Sequence, residues 1–206
     1  MSTPEPKTPV SLRDRNKQRV RRRILETAMS LAATRGVDGI TADDISEQAE
    51  IGRATFFRYF DSKEAAVIVG FYEQRLTALV ETLGAAPPKL GPMEAVVWTF
   101  RELGKRPDKQ LKLVRLHARM VMTSPALRAK AYEFQTRYEA AIAEAVAARF
   151  RRPRADDPRP RLLATAALAV IQSCIEFWAA RRESLDLTEL VIGGLEQLQA
   201  GFAEAP

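Results

Sequence analysis

The chain has 206 residues, with 32 Lys and Arg against 26 Asp and Glu, and its net charge of +6 suits an anionic partner such as nucleic acid. One Cys and one His are too few for a disulfide framework or a zinc site, and no phosphate loop, dinucleotide-binding glycine turn or serine nucleophile elbow supports an enzyme or a bound cofactor. No apolar run approaches the ~18 residues of a membrane-spanning helix, so we expect a cytoplasmic protein without a membrane partner.

The chain begins with a basic segment, and we predict a disordered N-terminal arm over residues 1–15. Residues 11–23 carry seven basic side chains against Asp14 alone. Such an arm ahead of a DNA-binding unit follows the DNA backbone or the minor groove, and a solvated tail is the alternative. Both interpretations stay open for residues 11–18, whereas Met1–Pro9, with three prolines, is expected to be a solvated tail.

Residues 16–63 are predicted to form a compact helical unit. Its first helix, 16–35, carries an apolar face and ends at Gly36. The next helix, 41–49, begins with a threonine three residues before an aspartate, a pattern in which the two side chains cap the helix start. A helix of under ten residues cannot bury a core alone, so the first helix must pack against it.

A second short helix, Arg53–Tyr59, follows a turn at Glu50–Gly52 and directs Phe56 inward. Asp61 and Ser62 then cap the start of another helix. Two short helices joined by a tight turn have the layout of a helix-turn-helix, in which the second helix lies in the DNA major groove.

Residues 19–68 resemble the DNA-binding domain of TetR-family transcriptional repressors. The run Gly-Arg-Ala-Thr-Phe-Phe-Arg-Tyr-Phe-Asp-Ser-Lys-Glu, residues 52–64, is similar to that family's recognition helix and the cap that follows it. Glu50 stands where the family usually has Gly, and a side chain on left-handed backbone costs roughly 1 kcal/mol there. Phe57 stands where the family usually has Tyr, so one phosphate-binding hydroxyl is missing.

The helix-turn-helix interpretation assigns DNA contacts to individual side chains. Arg53 opens the recognition helix and can donate two hydrogen bonds to one guanine. Small neighbouring side chains suit thymine methyl groups, and polar ones suit phosphates, which position the protein without specifying sequence. Arg58 can reach a base or the backbone, and a solvated surface role is equally open. The predicted DNA-contacting residues are Thr41, Arg53, Ala54, Thr55, Phe57, Arg58, Tyr59 and Lys63.

Residues 64–206 are predicted to form a larger helical domain for ligand binding and dimerisation. Apolar residues recur at helical spacing throughout this part of the chain, no segment predicts a strand, and proline-rich breaks separate the helices. The predicted fold is all-α with about nine helices, and after the recognition helix they cover 62–83, 92–105, 108–122, 125–150, 160–182 and 187–203.

The last two helices carry wide apolar stripes. Such stripes at the end of a chain predict a partner surface, and a deep core within one chain is the alternative. The resemblance implies a partner, since TetR-family members are two-fold dimers joined by their final two helices as a four-helix bundle. Two recognition helices ~34 Å apart would bind a palindromic operator in double-stranded DNA. The predicted interface residues are Leu163, Ala167, Val170, Leu187, Val191, Leu195 and Leu198.

Residues 85–182 are predicted to hold a pocket for a small-molecule effector. Four segments resemble the TetR subgroup of the mycofactocin-system regulator and other acyl-CoA-responsive repressors: Leu113-Val-Arg-Leu116, Ser124-Pro-Ala-Leu-Arg-Ala129, Tyr138-Glu-Ala-Ala-Ile-Ala-Glu-Ala145, and Ala166-Ala-Leu-Ala-Val170 up to Trp178. The resemblance implies an acyl-CoA effector. The predicted ligand residues are Trp98, Arg101, Arg115, Arg119, Met120, Phe134, Tyr138, Cys174, Phe177 and Trp178.

Residues 101–119 carry seven basic side chains against two acidic ones. Such a cluster can hold the phosphates of coenzyme A, and a solvated surface is the alternative. His117 is expected to fill the core rather than to contact a ligand.

Two other functions stay open. A multidrug-type repressor would have a promiscuous aromatic pocket, and the basic cluster counts against it. A non-specific architectural DNA-binding protein would not need the long C-terminal helices.

Overall fold

The computed structural model describes residues 11–105, 109–150, 156–181 and 185–201, with the backbone alone at 109 and 110. Over these residues the chain forms nine α-helices and no strand, which confirms the predicted fold class. It divides into two compact units after Gly70, rather than after residue 63. The helices are α1 Leu12–Arg35, α2 Ala42–Gln48, α3 Arg53–Tyr59, α4 Lys63–Gly84, α5 Pro92–Gly104, α6 Lys109–Thr123, α7 Pro125–Ala147, α8 Arg159–Ala180 and α9 Leu187–Gln199.

Helix α1 begins earlier than predicted. The Ser11 Oγ accepts a hydrogen bond from the backbone N–H of Asp14 at 3.1 Å and caps the helix, so residues 12–15 are helical rather than disordered. The first ten residues of the predicted arm lie outside the described residues. At the other end Gly36 has φ +73°, a conformation that favours glycine, and the helix stops there as predicted.

The turn between α2 and α3 contains a left-handed residue. Glu50 has φ 49° and is the one residue other than glycine with positive φ in the described part of the chain. Arg23 on α1 donates one hydrogen bond to the Glu50 carboxylate and another to its backbone carbonyl, each at 3.0 Å. These bonds hold the turn in this conformation, in which a side chain costs roughly 1 kcal/mol.

In the second unit α8 is the central helix, and it packs against α5, α6, α7 and α9. Helix α9 also packs against α5. Where α9 meets α8, a Cβ added at Gly194 would lie 2.8 Å from Cγ1 of Val170, so the two helices approach closely. Five predicted helices end earlier than expected: α2 at Gln48, α5 at Gly104, α7 at Ala147, α8 at Ala180 and α9 at Gln199.

Helix α8 is also long and apolar enough to cross a membrane by length and composition, although the unbroken apolar runs of the sequence predict no such helix. It is the one helix of this kind in the described ranges. Of its most apolar stretch, 28% is buried within the chain. The core helix of a helical bundle can have the same length and composition. In this chain α8 leaves one apolar face uncovered.

Candidate functional site

Helix α3 has an inward and an outward face. Phe56 is fully buried in the core of the first unit and lies 6.1 Å from Phe60 between ring centroids. Because successive residues of an α-helix are about 100° apart, anchoring Phe56 inside leaves the opposite side of α3 in solvent. The predicted DNA-contacting residues of this helix are accordingly exposed or half-buried: Arg53, Ala54, Thr55, Phe57, Arg58 and Tyr59.

Arg53 is held by two neighbours. Its Nη1 donates a hydrogen bond to Oδ2 of Asp43 on α2, and its guanidinium carbon lies 5.3 Å from the centre of the Phe57 ring. The Phe57 ring is edge-on to buried Phe56, with 5.2 Å between their centroids. The cation at the start of α3 is therefore supported on the outward surface rather than freely solvated.

Thr41 and Lys63 both have partners inside the first unit. The Thr41 hydroxyl accepts a hydrogen bond from the Asp44 backbone at 3.0 Å and donates one to its carboxylate at 2.6 Å. The hydrogen bonds from Thr41 lower the pKa of the Asp44 carboxyl group. Lys63 Nζ donates to the Ile40 carbonyl at 2.8 Å, which leaves two N–H donors on the ammonium group. Their contacts with phosphate remain predictions.

All seven basic residues between 11 and 23 lie on α1 and not on an extended arm. Arg23 clamps the turn at Glu50, and the guanidinium of Arg21 lies 5.7 Å from the centre of the Phe60 ring. The prediction of a disordered arm over residues 12–15 is therefore wrong, because the Ser11 side chain caps α1 and the helix begins at Leu12.

The second unit contains a cavity of about 450 Å³ with a mostly apolar lining. Volumes of this size are typical of small-molecule sites. Five helices contribute its walls: α4, α5, α6, α7 and α8. The lining residues are Phe71, Tyr72, Arg75, Phe100, Val114, His117, Ala118, Val121, Met122, Arg128, Ala131, Tyr132, Gln135, Tyr138, Leu168, Ile171, Gln172, Ile175 and Glu176.

Tyr72 is at the centre of an aromatic cluster beside this cavity. Its ring stacks on Phe134 with 4.9 Å between centroids and meets the His117 ring edge-on at 4.6 Å. The Tyr138 hydroxyl donates to the Tyr72 backbone carbonyl at 3.0 Å. Burial raises the pKa of both tyrosines, and the Glu176 carboxylate adds to the shift at Tyr72. Both phenol groups therefore stay protonated at neutral pH.

His117 is a buried neutral base. Its ring stacks on Phe71 with 4.1 Å between centroids, and its Nε2 is buried with no hydrogen-bond partner among the described residues. Burial, with a smaller contribution from Arg75, lowers the pKa of His117 to about 3. The imidazole is therefore uncharged at the pH of the cell.

The free energy of unfolding is expected to fall as the pH drops below about 6.5. The unfolded chain binds a proton at His117 with a pKa near 6.5, whereas the folded chain binds it only near pH 3. Between these values one extra proton on the unfolded state lowers stability by about 1.4 kcal/mol per pH unit.

His117→Phe keeps a stacking ring and removes the titrating group, so it is the matched variant. Urea unfolding at pH 6.5 and 5.0 should show the parent losing about 2 kcal/mol more than the variant. Equal losses in the two proteins would contradict a neutral, buried imidazole.

Of the predicted ligand residues, all of which are described, Tyr138 is the one that lines the cavity. Phe134 lies behind it, stacked on Tyr72. Buried Trp178 donates its Nε1 to the Leu185 carbonyl at 2.9 Å, and the Cys174 thiol contacts the Leu190 carbonyl at 3.5 Å. The lining leaves out the other nine, whose contacts with a ligand remain predictions: Trp98, Arg101, Arg115, Arg119, Met120, Phe134, Cys174, Phe177 and Trp178.

The predicted phosphate cluster at 101–119 does not form at the cavity. Arg101 pairs with Glu196 at 3.2 Å, and Lys105 pairs with Glu102 at 2.6 Å. Arg115 stacks on Trp178, 3.8 Å from a ring centroid, and donates to a backbone carbonyl of α8's C-cap. Arg106 and the side chain of Lys109 lie outside the described residues. The cations that do line the cavity are Arg75 and Arg128.

The cavity-lining residues of α6, none of which is among the predicted ligand residues, share a pattern in the sequence. On α6 the lining positions are Val114, His117, Ala118, Val121 and Met122, which recur at three- and four-residue spacing. His117 interrupts this otherwise apolar face. The predicted ligand residues Arg115 and Arg119 lie on another face of the same helix and do not line the cavity.

Part of the predicted dimer interface is buried within the chain. Ala167 and Leu195 are 0% exposed, Val191 is 4% and Leu187 is 7%, so these side chains have no surface for a partner. They are buried because α9 packs against both α5 and α8. Leu163, Val170 and Leu198 are half-buried and remain available. The large apolar side chains exposed on α8 are Leu162 and Phe177.

An exposed helix of a helix-turn-helix in one unit and a mostly apolar cavity in the other are the features of a DNA-binding regulator with a ligand-binding domain. Residues 24–67 match the family described as bacterial regulatory proteins, tetR family, and residues 90–203 match the MftR C-terminal domain. The chain therefore belongs to the TetR family, and it is a transcriptional regulator rather than an enzyme.

Two related proteins and one solved structure are similar to this chain over most of its length. The HTH-type transcriptional regulator TcmR of Streptomyces glaucescens is 30% identical in an alignment of 189 residues that covers 88% of this chain and 82% of TcmR. MftR of Mycobacterium tuberculosis, named for the regulation of mycofactocin biosynthesis, is 27% identical over 87% of this chain and 89% of MftR. The structure of Thermus thermophilus FadR with lauroyl-CoA matches with a TM-score of 0.67 at 24% identity, covering 90% of this chain and 97% of FadR.

Proposed function

We propose that this protein is a homodimeric repressor of the cytoplasm that binds a palindromic operator through α3 and leaves it when an apolar effector fills the cavity. The observation that carries the proposal is the cavity itself, since about 450 Å³ of mostly apolar space lies within the size range of small-molecule sites. The effector acts by its differential affinity for the DNA-binding and DNA-free states.

The uncovered face of α8 supports the dimer. Leu162 is 64% exposed and Phe177 is 44% exposed, and helical spacing places Ala166, Ala169 and Ser173 between them on the same face. A second copy of the chain would cover this face and complete a four-helix bundle from two pairs of α8 and α9.

An acyl-CoA is the effector that we favour. The C-terminal domain belongs to the MftR type, and Thermus thermophilus FadR holds lauroyl-CoA. An acyl chain fits the apolar walls, and each buried methylene adds about 0.8 kcal/mol of affinity. Longer chains should therefore bind more tightly until the cavity is full.

The coenzyme A phosphates are proposed to lie at Arg128 and not at the predicted cluster of 101–119. Five side chains that line the cavity are also exposed, and three of them lie together on α6 and α7: Met122, Arg128 and Tyr132, with Gln172 and Glu176 on α8. Arg128 donates to the Met122 carbonyl at 2.8 Å with Nη2, so its other N–H groups can face a phosphate at this exposed part of the lining.

Acyl-CoAs of increasing chain length are expected to release the protein from an operator selected from random DNA. Arg128→Ala should weaken the response to the thioesters while leaving any response to free fatty acids unchanged, since only the thioesters carry phosphates. Arg119→Ala is the matched control and should respond like the parent. Fluorescence anisotropy of the labelled operator measures its release from the parent protein and from each variant. Release by fatty acids and thioesters alike would remove the role of Arg128.

Two other functions make different predictions for the same assay. A multidrug-type repressor would respond to an aromatic cation such as tetraphenylphosphonium and to no acyl-CoA. The aromatic lining and Glu176 favour that alternative, whereas Arg75 and Arg128 oppose a cationic ligand. A non-specific architectural protein would protect DNA without preference, whereas a repressor should give one footprint on a palindrome.

A further inference from the structure

The contact between Asp43 and Arg53 joins α2 to the first residue of the recognition helix. Both side chains are exposed, at 61% and 62%, and an ion pair in such a position adds little to folding stability. Two other ion pairs of this unit have evident structural roles: Arg23 clamps the left-handed Glu50, and Arg35 lies 3.5 Å from the capping carboxylate of Asp44. The Asp43 carboxylate instead holds Arg53, a side chain that the proposed function places against DNA.

Three groups define the direction of the Arg53 guanidinium. Asp43 accepts a hydrogen bond from Nη1, and the Phe57 ring lies beside the guanidinium carbon at 5.3 Å. Phe57 is fixed in turn by its edge-on contact with buried Phe56. One N–H of the guanidinium is occupied, and four remain for a guanine, which needs two. A side chain that is already ordered loses less rotamer entropy on binding.

The charge of Asp43 has a second effect. A carboxylate on the DNA-facing surface repels phosphates at every sequence, whereas its bond to Arg53 helps only where a guanine accepts the guanidinium. The same residue therefore lowers affinity for unrelated DNA and raises affinity for one base pair.

We propose that Asp43 is a specificity-determining positioning residue, which with Phe57 holds Arg53 toward one G·C pair in each half-site and disfavours all other sequences. The inference rests on the proposed function, in which α3 contacts the operator bases.

Two substitutions at one position separate the two effects. Asp43→Ala removes the charge and the bond to Arg53, whereas Asp43→Asn removes the charge and keeps an oxygen acceptor. Both full-length variants should bind an unrelated duplex several-fold more tightly than the parent. Asp43→Ala should lose roughly tenfold of the preference at the G·C pair, and Asp43→Asn should keep more of it.

Glu26→Gln is the matched control, since it removes one exposed acid from α1 in the same unit. It should leave the base preference unchanged. Base preferences are measured by selection from random DNA, with Arg53→Ala to identify the base pair concerned. Parallel loss of affinity for operator and unrelated DNA in Asp43→Ala would indicate a merely structural role and overturn the inference. The inference would also be overturned if Asp43→Ala kept the preference for the G·C pair while Arg53→Ala lost it. If Arg53→Ala keeps every preference, the DNA-reading assignment itself fails.

Discussion

Ala169→Glu is expected to convert the dimer into monomers and to weaken operator binding more than about a hundredfold, because a monomer engages one half-site alone. Ala169 is exposed in the single chain and lies on the uncovered face of α8 between Leu162 and Phe177. In the proposed four-helix bundle the new carboxylate would be buried without a partner, at a cost of several kcal/mol (roughly 3–5 for an uncompensated charge). Sedimentation and operator titration measure the two effects.

Thr136→Glu is the control for Ala169→Glu, since Thr136 is exposed on α7 and should tolerate the charge. Leu195→Glu is a contrasting variant. Leu195 is 0% exposed within its own chain, so the same charge there should prevent folding instead of separating folded subunits. A monomeric parent protein, or a folded dimer in Ala169→Glu, would contradict the proposed interface.

Arg53→Ala should lose roughly 1–3 kcal/mol of operator affinity per half-site, and twice that for the dimer on a palindrome. The loss should concentrate at one base pair in each half-site, because a bidentate Arg contact distinguishes guanine from the other bases. Affinity for unrelated DNA should change much less. Competition titrations with operators altered at single base pairs provide the measurement.

Lys63→Ala is the comparison for Arg53→Ala. If Lys63 contacts phosphate, its removal weakens binding to all sequences alike and flattens the dependence of affinity on salt. Lys63 also holds the Ile40 carbonyl, so the folded fraction of this variant must be checked by circular dichroism. Binding of both variants at the level of the parent protein would contradict the assignment of α3 as the recognition helix.

The helices of this protein are predictable from the sequence because their signals are local. The Thr41 and Asp44 side chains cap α2 from positions three residues apart, and Pro125 begins α7 where the missing N–H has no cost. Gly36 ends α1 for an equally local reason. The exposed face of α3 is predictable for the same reason. Phe56 is buried in the core, so the residues on the opposite side of this seven-residue helix are exposed. The fold class and the candidate DNA-binding surface are therefore predictable from the sequence alone.

The cavity and the buried face of α9 were decided by tertiary structure. Arg115 and Val114 are adjacent in sequence, yet Val114 lines the cavity and Arg115 stacks on Trp178 outside it. Leu195 belongs to a stripe that suits a partner helix, but α5 and α8 of the same chain already cover it. The pattern of apolar residues gives the width of a helix face. Which neighbour that face meets depends on how each helix is rotated about its axis, and contacts between residues far apart in the chain set that rotation.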